Sequence, residues 1–403
     1  MVKPATLPLQ LSDLRGAIRL AADATAQVTG IVESMHATIA SGAVLGPPRR
    51  RARGISGLVY RSIRGVAGQI GHGLSAVLEP ATALWPATAT SSVERDALLA
   101  ALNGVIGDHL EATGNPLAIA MSFRRNGQPL PLERQALADA LPEAGQDLLI
   151  MVHGLCMNDR QWNWRGHDHG AALAAACGYT PLYLHYNSGR HISTNGREFA
   201  ERLQQLVDAW PVPVRSLSLL VHSMGGLVAR SACERAEQQQ MSWRAKLQRI
   251  AFLGTPHQGS PLERYGHAFQ TAVGLSPFVA PLADLGRLRS AGITDLRHGS
   301  LSDADWQHVD RFTAAAPPRV VALPQRVRCY AIGAVRGRVD GLRGGDGLVP
   351  LRSALGQHAD PARCLEFPQT RCWIGAGLGH WDLLDDPAVY ARLLQWFAQT
   401  SNP

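Results

Sequence analysis

The chain has 403 residues, 46% hydrophobic and 18% charged; at about 100–200 residues per domain this allows one large domain with an accessory segment, or two domains. That balance excludes global disorder, and 40 Gly and 25 Pro without a fixed period exclude collagen and coiled-coil rods. Lys and Arg number 39 against 32 Asp and Glu, a net charge of +7 that is nearly all Arg. It suits an anionic surface but does not specify nucleic acid.

In chain order, Leu14, Ile18, Ala21, Thr25, Val28, Val32, Met35 and Ile39 advance by alternating fours and threes. This predicts a long helix with a seven-residue seam. Gly46-Pro47-Pro48 breaks it, and a second seam from Ile55 to Val77 ends before Pro80. The two read as a helical hairpin. Glycines throughout its second arm weaken that helix, so it needs a packing partner. Six Arg and no acidic residue between Arg49 and Arg64 also fit a hairpin lying on an anionic lipid surface. Both readings stand at this point. No N-terminal apolar run precedes a cleavage site, and no apolar stretch reaches 18 residues, so neither a signal peptide nor a spanning helix is expected.

A Pro/Ala/Thr/Ser-rich linker and one helix, Val93 to Glu111, complete an N-terminal segment over residues 1–114. Beyond it, Asn126-Gly127 between two short apolar runs predicts a tight hairpin. Apolar runs at 148–154, 181–186, 217–223, 249–255 and 327–334 then alternate with helical segments such as Gly196–Ala209 and Gly225–Ala236. Runs apolar on both faces belong to a buried, mostly parallel sheet, so residues 115–403 are expected to form an α/β domain. Cysteines 156, 177, 233, 329, 364 and 372 show no metal-ligand spacing and read as reduced structural thiols.

Val221-His222-Ser223-Met224-Gly225-Gly226 stands where a strand run meets a helical one. A serine on such a turn is held up at the carboxyl edge of the sheet with a helix N-terminus behind it, where its oxygen can attack a carbonyl. Here the chain resembles the α/β-hydrolase superfamily, in the lipase and esterase branch that includes bacterial lipases and GPI inositol-deacylase-like hydrolases. Val221 replaces the first glycine of that pattern, and a β-branched residue there is expected to crowd the turn.

The resemblance implies the chain order nucleophile, acid, base: Ser223, then Asp346 in Gly345-Asp346-Gly347-Leu348-Val349-Pro350, then His380 in Gly379-His380-Trp381. Asp340 is a rival acid with only a turn signature. By the same resemblance, the backbone N–H groups of Leu155, after His153-Gly154, and of Met224 form the oxyanion hole. The string Gly254-Thr255-Pro256-His257-Gln258-Gly259-Ser260 is also similar to the family and is expected at the rim. The long stretch 261–325 reads as a helical cap, with Phe269 and Phe278 among its apolar substrate-binding residues. Gly166-His167-Asp168-His169-Gly170 reads as a helix start rather than a metal site, with Asp168 as N-cap. Asp382, Asp385 and Asp386 do not establish a calcium site.

The expectation is an α/β-hydrolase fold with a helical cap and an N-terminal hairpin. It implies a cytoplasmic serine hydrolase of lipid-like or medium-to-long acyl esters, with no cofactor or metal and no nucleic-acid partner. For residues 1–80 the open readings are a structural hairpin and peripheral association with an anionic membrane. The alternatives are a thioesterase, acyltransferase or polyester depolymerase on the same residues, or an inactive lipid-surface scaffold.

Overall fold

The structure, a computed structural model, describes residues 10, 12–23, 65, 69, 91–260, 290–307 and 318–398. Most of the expected N-terminal hairpin lies outside these residues, as do Phe269 and Phe278. The chain divides into two compact units, Met1–Arg95 with Leu110–Ala118, and Asp96–His109 with Ile119–Pro403. In the smaller unit, residues 12–23 are helical. Asp13 there receives a two-point pair from Arg95 at 2.7 and 2.6 Å, and Asn115 donates to the Gly16 carbonyl. Helix α1 (Val93–Ala112) leaves helical geometry at Ile106.

The larger unit is built on eight strands: β1 (Ser122–Arg125), β2 (Gln128–Pro129), β3 (Asp147–Val152), β4 (Thr180–His185), β5 (Ser216–His222), β6 (Leu247–Leu253), β7 (Arg328–Val335) and β8 (Cys372–Ala376). Their spatial order is β2-β1-β4-β3-β5-β6-β7-β8. β1 runs antiparallel to β2 and β4, and every other pairing is parallel. Asn126 and Gly127, both at positive φ (52° and 74°), close the β1–β2 hairpin, the geometry a two-residue primed turn requires.

Among the described residues, the helices that follow are α2 (Arg134–Ala140), α3 (His169–Cys177), α4 (Ile192–Ala209), α5 (Met224–Gln238), α6 (Ala291–His298), α7 (Leu351–Ala354) and α8 (Pro387–Phe397). The strands are apolar on both faces because both are covered. Leu148, Ile150 and Val152 of β3 join a core cluster with Phe199 and Leu203 of α4 and Leu227 and Val228 of α5. The alternating Leu149 and Met151 join a second cluster with Leu173 of α3 and Val389, Leu393 and Trp396 of α8. Period-two alternation thus serves two cores at once. Each fully buried Leu, Ile or Phe stabilises by roughly 1.5–3 kcal/mol.

Asp168 caps α3 by accepting from the Ala171 N–H at 3.0 Å. Its other carboxylate oxygen accepts from the Tyr183 hydroxyl. His167 and His169 bond each other at 2.8 Å. Asp386 caps α8. All six cysteines are free thiols, with Cys156, Cys233 and Cys329 buried. Among the described residues, no helix is long and apolar enough to cross a membrane, and no cluster of three or more His, Cys, Asp or Glu could hold a metal ion.

Candidate active site

β5 ends at His222, and Ser223 follows as the N-cap of α5 with φ 55° and ψ −126°. A serine at positive φ costs on the order of 1–3 kcal/mol, and the surroundings must hold it there. Two contacts do so: the Ser223 N–H donates to the Leu253 carbonyl at 2.8 Å, and its own carbonyl accepts from Gly226 at 3.1 Å. The turn is tight because glycines meet it. A Cβ on Gly225 would come within 2.6 Å of the His153 carbonyl oxygen, and one on Gly154 within 2.9 Å of the Ser223 Cβ. Val221 does not crowd the turn. Its side chain is fully buried in the core cluster of α4 and α5, in register with Val152 and Phe252, and the close approach falls at the glycines instead.

Asp346 sits in the loop after β7 and is completely buried. One carboxylate oxygen accepts from the N–H groups of Leu348 (2.9 Å) and Val349 (2.7 Å). The other meets His380 Nδ1 at 2.7 Å. The Asp346 carbonyl accepts from the His380 N–H at 3.1 Å and from Arg336 Nε at 3.0 Å. Asp340, the rival acid, is exposed and faces Arg343 at 3.8 Å.

Ser223 and His380 line one cavity of about 30 Å3 with Leu155, Met157, Leu296 and Val349. That volume holds about two waters. Met224 opens α5, so its N–H has no intrahelical acceptor. Among the described residues, the Leu155 N–H likewise finds no acceptor.

The sequence gives little sign of the groups that hold these parts. The His222 ring, completely buried, bonds the His380 carbonyl through Nε2 at 3.2 Å, so Nε2 carries the proton and donates. Burial and the neighbouring His380 ring keep His222 well below the ordinary histidine range. The Tyr186 hydroxyl donates to the His153 carbonyl at 2.8 Å, and Ser188 Oγ accepts from the Cys156 N–H at 3.0 Å. Together they fix the loop that carries Leu155. His153 stacks on Tyr186 at 4.3 Å between ring centroids, and burial lowers its pKa to about 3. A turn-rich stretch after β4 and a histidine before the serine were the available signals.

His257 is buried between Phe252 and Phe367. It meets Arg230 at 3.4 Å, which places it outside the His380–Asp346 pair. Asp382 accepts from the Gly379 N–H at 2.8 Å and pairs with Arg165 at 3.0 Å; Arg165 also reaches Asp385 at 3.6 Å. From the expected cap, α6 packs against the start of α4. Asp295 accepts from the Ile192 N–H at 2.8 Å and pairs with His191 at 3.0 Å, while Leu296 reaches the cavity.

Residues 143–323 match the model of a family described as the PGAP1-like alpha/beta domain. The span includes Leu155, Ser223 and Met224 but stops before Asp346 and His380. No curated protein matches the chain. Solved structures that resemble it include Bacillus licheniformis lipase BlEst2 in mature form, at 14% identity and TM-score 0.41 over 69% of this chain and 98% of that one. Aspergillus fumigatus lipase B is similar at 11% identity and TM-score 0.41, over 71% of this chain and 57% of that one. A Pyrococcus furiosus esterase is similar at 13% identity and TM-score 0.36, over 63% and 81%. At such scores they carry no argument about activity. The larger unit has an α/β-hydrolase fold, and its residues 143–323 resemble the PGAP1-like alpha/beta domain.

Proposed function

We propose that the protein is a serine hydrolase that cleaves carboxylic esters through an acyl-enzyme. Ser223 Oγ attacks the acyl carbon while His380 Nε2 takes its proton. Asp346 holds the imidazole in the tautomer with Nδ1 protonated and stabilises the imidazolium that forms. The oxyanion is received by the Leu155 and Met224 N–H groups; a donor in this role is worth about 2.7–4 kcal/mol. The imidazolium returns its proton to the leaving alcohol, and a water activated by His380 then releases the acid.

The observation that carries this reading is the buried His380–Asp346 pair at 2.7 Å, with its imidazole on the same small cavity as a serine held at positive φ. The apolar walls from Leu155, Met157, Leu296, Leu348 and Val349 favour lipid-like or medium-to-long acyl esters. The basic run Arg49–Arg64 would bring such an enzyme to an anionic membrane, and deleting residues 1–80 should abolish sedimentation with anionic vesicles.

The test is fluorophosphonate labelling of the wild type, Ser223→Ala and His380→Ala, alongside p-nitrophenyl esters from C2 to C16. Labelling and turnover that need both residues are expected. A folded wild type that neither labels nor hydrolyses would overturn the reading. Labelling without ester turnover would move the substrate to a thioester or to acyl transfer.

A further inference from the structure

Helix α1 lies outside the span that matches the family model, yet its Asp96–His109 part belongs to the larger unit. There it packs against the residues next to the candidate active site, through the short stretch from Ala101 to Asp108. Within that stretch the helix leaves helical geometry at Ile106, between Gly104 and Gly107.

Gly104 faces Cys156. A Cβ on Gly104 would come within 2.9 Å of the Cys156 Cα and nearer still to its Sγ, so the helix backbone rests directly on that residue. The buried thiol donates to the Ala101 carbonyl at 3.8 Å. Cys156 follows Leu155 and stands at φ 59°, a conformation that a residue other than glycine keeps only when its surroundings fix it. Its thiol is fixed under α1, and its N–H by Ser188 Oγ. One turn further, the loop that carries Ser188 meets the same helix. Asn187 Nδ2 donates to the Gly107 carbonyl at 2.9 Å, and a Cβ on Gly107 would come within 2.7 Å of Asn187 Cγ. The start of α6, which brings Leu296 to the cavity, is held there too. Ser290 Oγ donates to the Gly104 carbonyl at 2.6 Å, and the Ala291 N–H to Asp108 at 2.9 Å.

We propose that α1 is a clamp that positions the oxyanion loop, with Gly104 and Cys156 as its positioning residues. This rests on the serine-hydrolase reading, in which the Leu155 N–H receives the oxyanion. Cys156 is the next residue, so a shift of its Cα drags the Leu155 backbone and turns that N–H away from the developing charge. Burial pushes the Cys156 thiol up to about 12, so it acts by its bulk and not as a nucleophile. Alanine in place of glycine inside a helix ordinarily stabilises it. At Gly104 the added methyl instead takes the space of the thiol and pushes on the loop.

The test compares p-nitrophenyl butyrate with its thionoester, in which sulfur replaces the carbonyl oxygen, on the full chain and on Gly104→Ala, Cys156→Gly and the double variant. Sulfur is larger and accepts N–H hydrogen bonds poorly, so the preference for the oxygen ester reads the oxyanion donors rather than general stability. Gly104→Ala should lower kcat on the oxygen ester by about tenfold to a hundredfold with KM little changed, and reduce that preference. Cys156→Gly, which leaves the clamp nothing to hold, should do the same to a smaller extent, and it keeps the test open if Gly104→Ala does not fold. In the double variant the methyl enters the space the thiol leaves, so its loss should be smaller than the product of the two single losses. A wild type without ester turnover would overturn the hydrolase reading and the clamp's role with it. An active wild type whose preference is matched by the folded variants would overturn the clamp alone.

Discussion

Asp346 has more to hold than its size suggests. One oxygen already serves two backbone N–H groups, so only the other is free to face His380. In Asp346→Asn the amide oxygen must stay with the two N–H donors, because an NH2 group turned toward them cannot accept. The NH2 then faces His380 Nδ1 and obliges that nitrogen to accept, so the proton moves to Nε2, where Ser223 needs a base. The expected result is a folded variant with kcat lower by about 10^4-fold and KM little changed. Asp340→Asn, at an exposed position, should be indistinguishable from wild type. A large loss in Asp340→Asn with Asp346→Asn active would exchange the two roles.

At the level of elements, α6 decides how much room the candidate site has. The cavity is small, and Leu296 of α6, buried to 3% exposure, is one of its walls. Leu296→Ala removes wall atoms without touching Ser223 or His380. It should move the preferred p-nitrophenyl ester toward longer chains, at about 2–5 kcal/mol of stability. An unchanged chain-length profile would place the acyl group elsewhere. Most strands and helices around the site were legible because local pattern decides them. The run 217–223 is strand Ser216–His222, and Gly225–Ala236 is helix Met224–Gln238. The Asn126-Gly127 turn was legible for the same reason, since few other pairs accept two positive φ values. What anchors the elements was not legible. Asp295 binds the Ile192 N–H from 103 positions away, and His222 meets the His380 carbonyl from 158. No periodicity or spacing encodes such pairings, which exist only once the sheet has brought the loops together. The length of the stretch 261–325 pointed to a cap, but only folding shows that Leu296, within it, lines the same cavity as Ser223.

For the molecule as a whole, the notable burden is neutral histidine. Burial lowers His153 and His169 to about 3, lowers His185 despite its Asp159 partner, and holds His222 and His257 well below the ordinary range. In the unfolded chain each returns to about 6.5. Below that pH the unfolded state binds protons that the folded state refuses, so stability is full above about pH 6.5 and drains as pH falls toward the folded values. The losses from these groups add, and the whole stability of a domain is only about 5–15 kcal/mol. Asp295 and Asp385, both raised by burial, work in the opposite direction, but they are fewer. The urea midpoint should therefore fall steeply between pH 7 and 5.5, well before ordinary carboxylates titrate. His257→Leu, which keeps an apolar side chain between Phe252 and Phe367, should reduce the slope by about one proton even if it lowers stability at pH 7. A midpoint flat from pH 7.5 to 5.5 would mean that these rings reach water or gain partners on protonation. The same loss should appear as irreversible inactivation at mild acid, at a rate that tracks unfolding whatever the substrate.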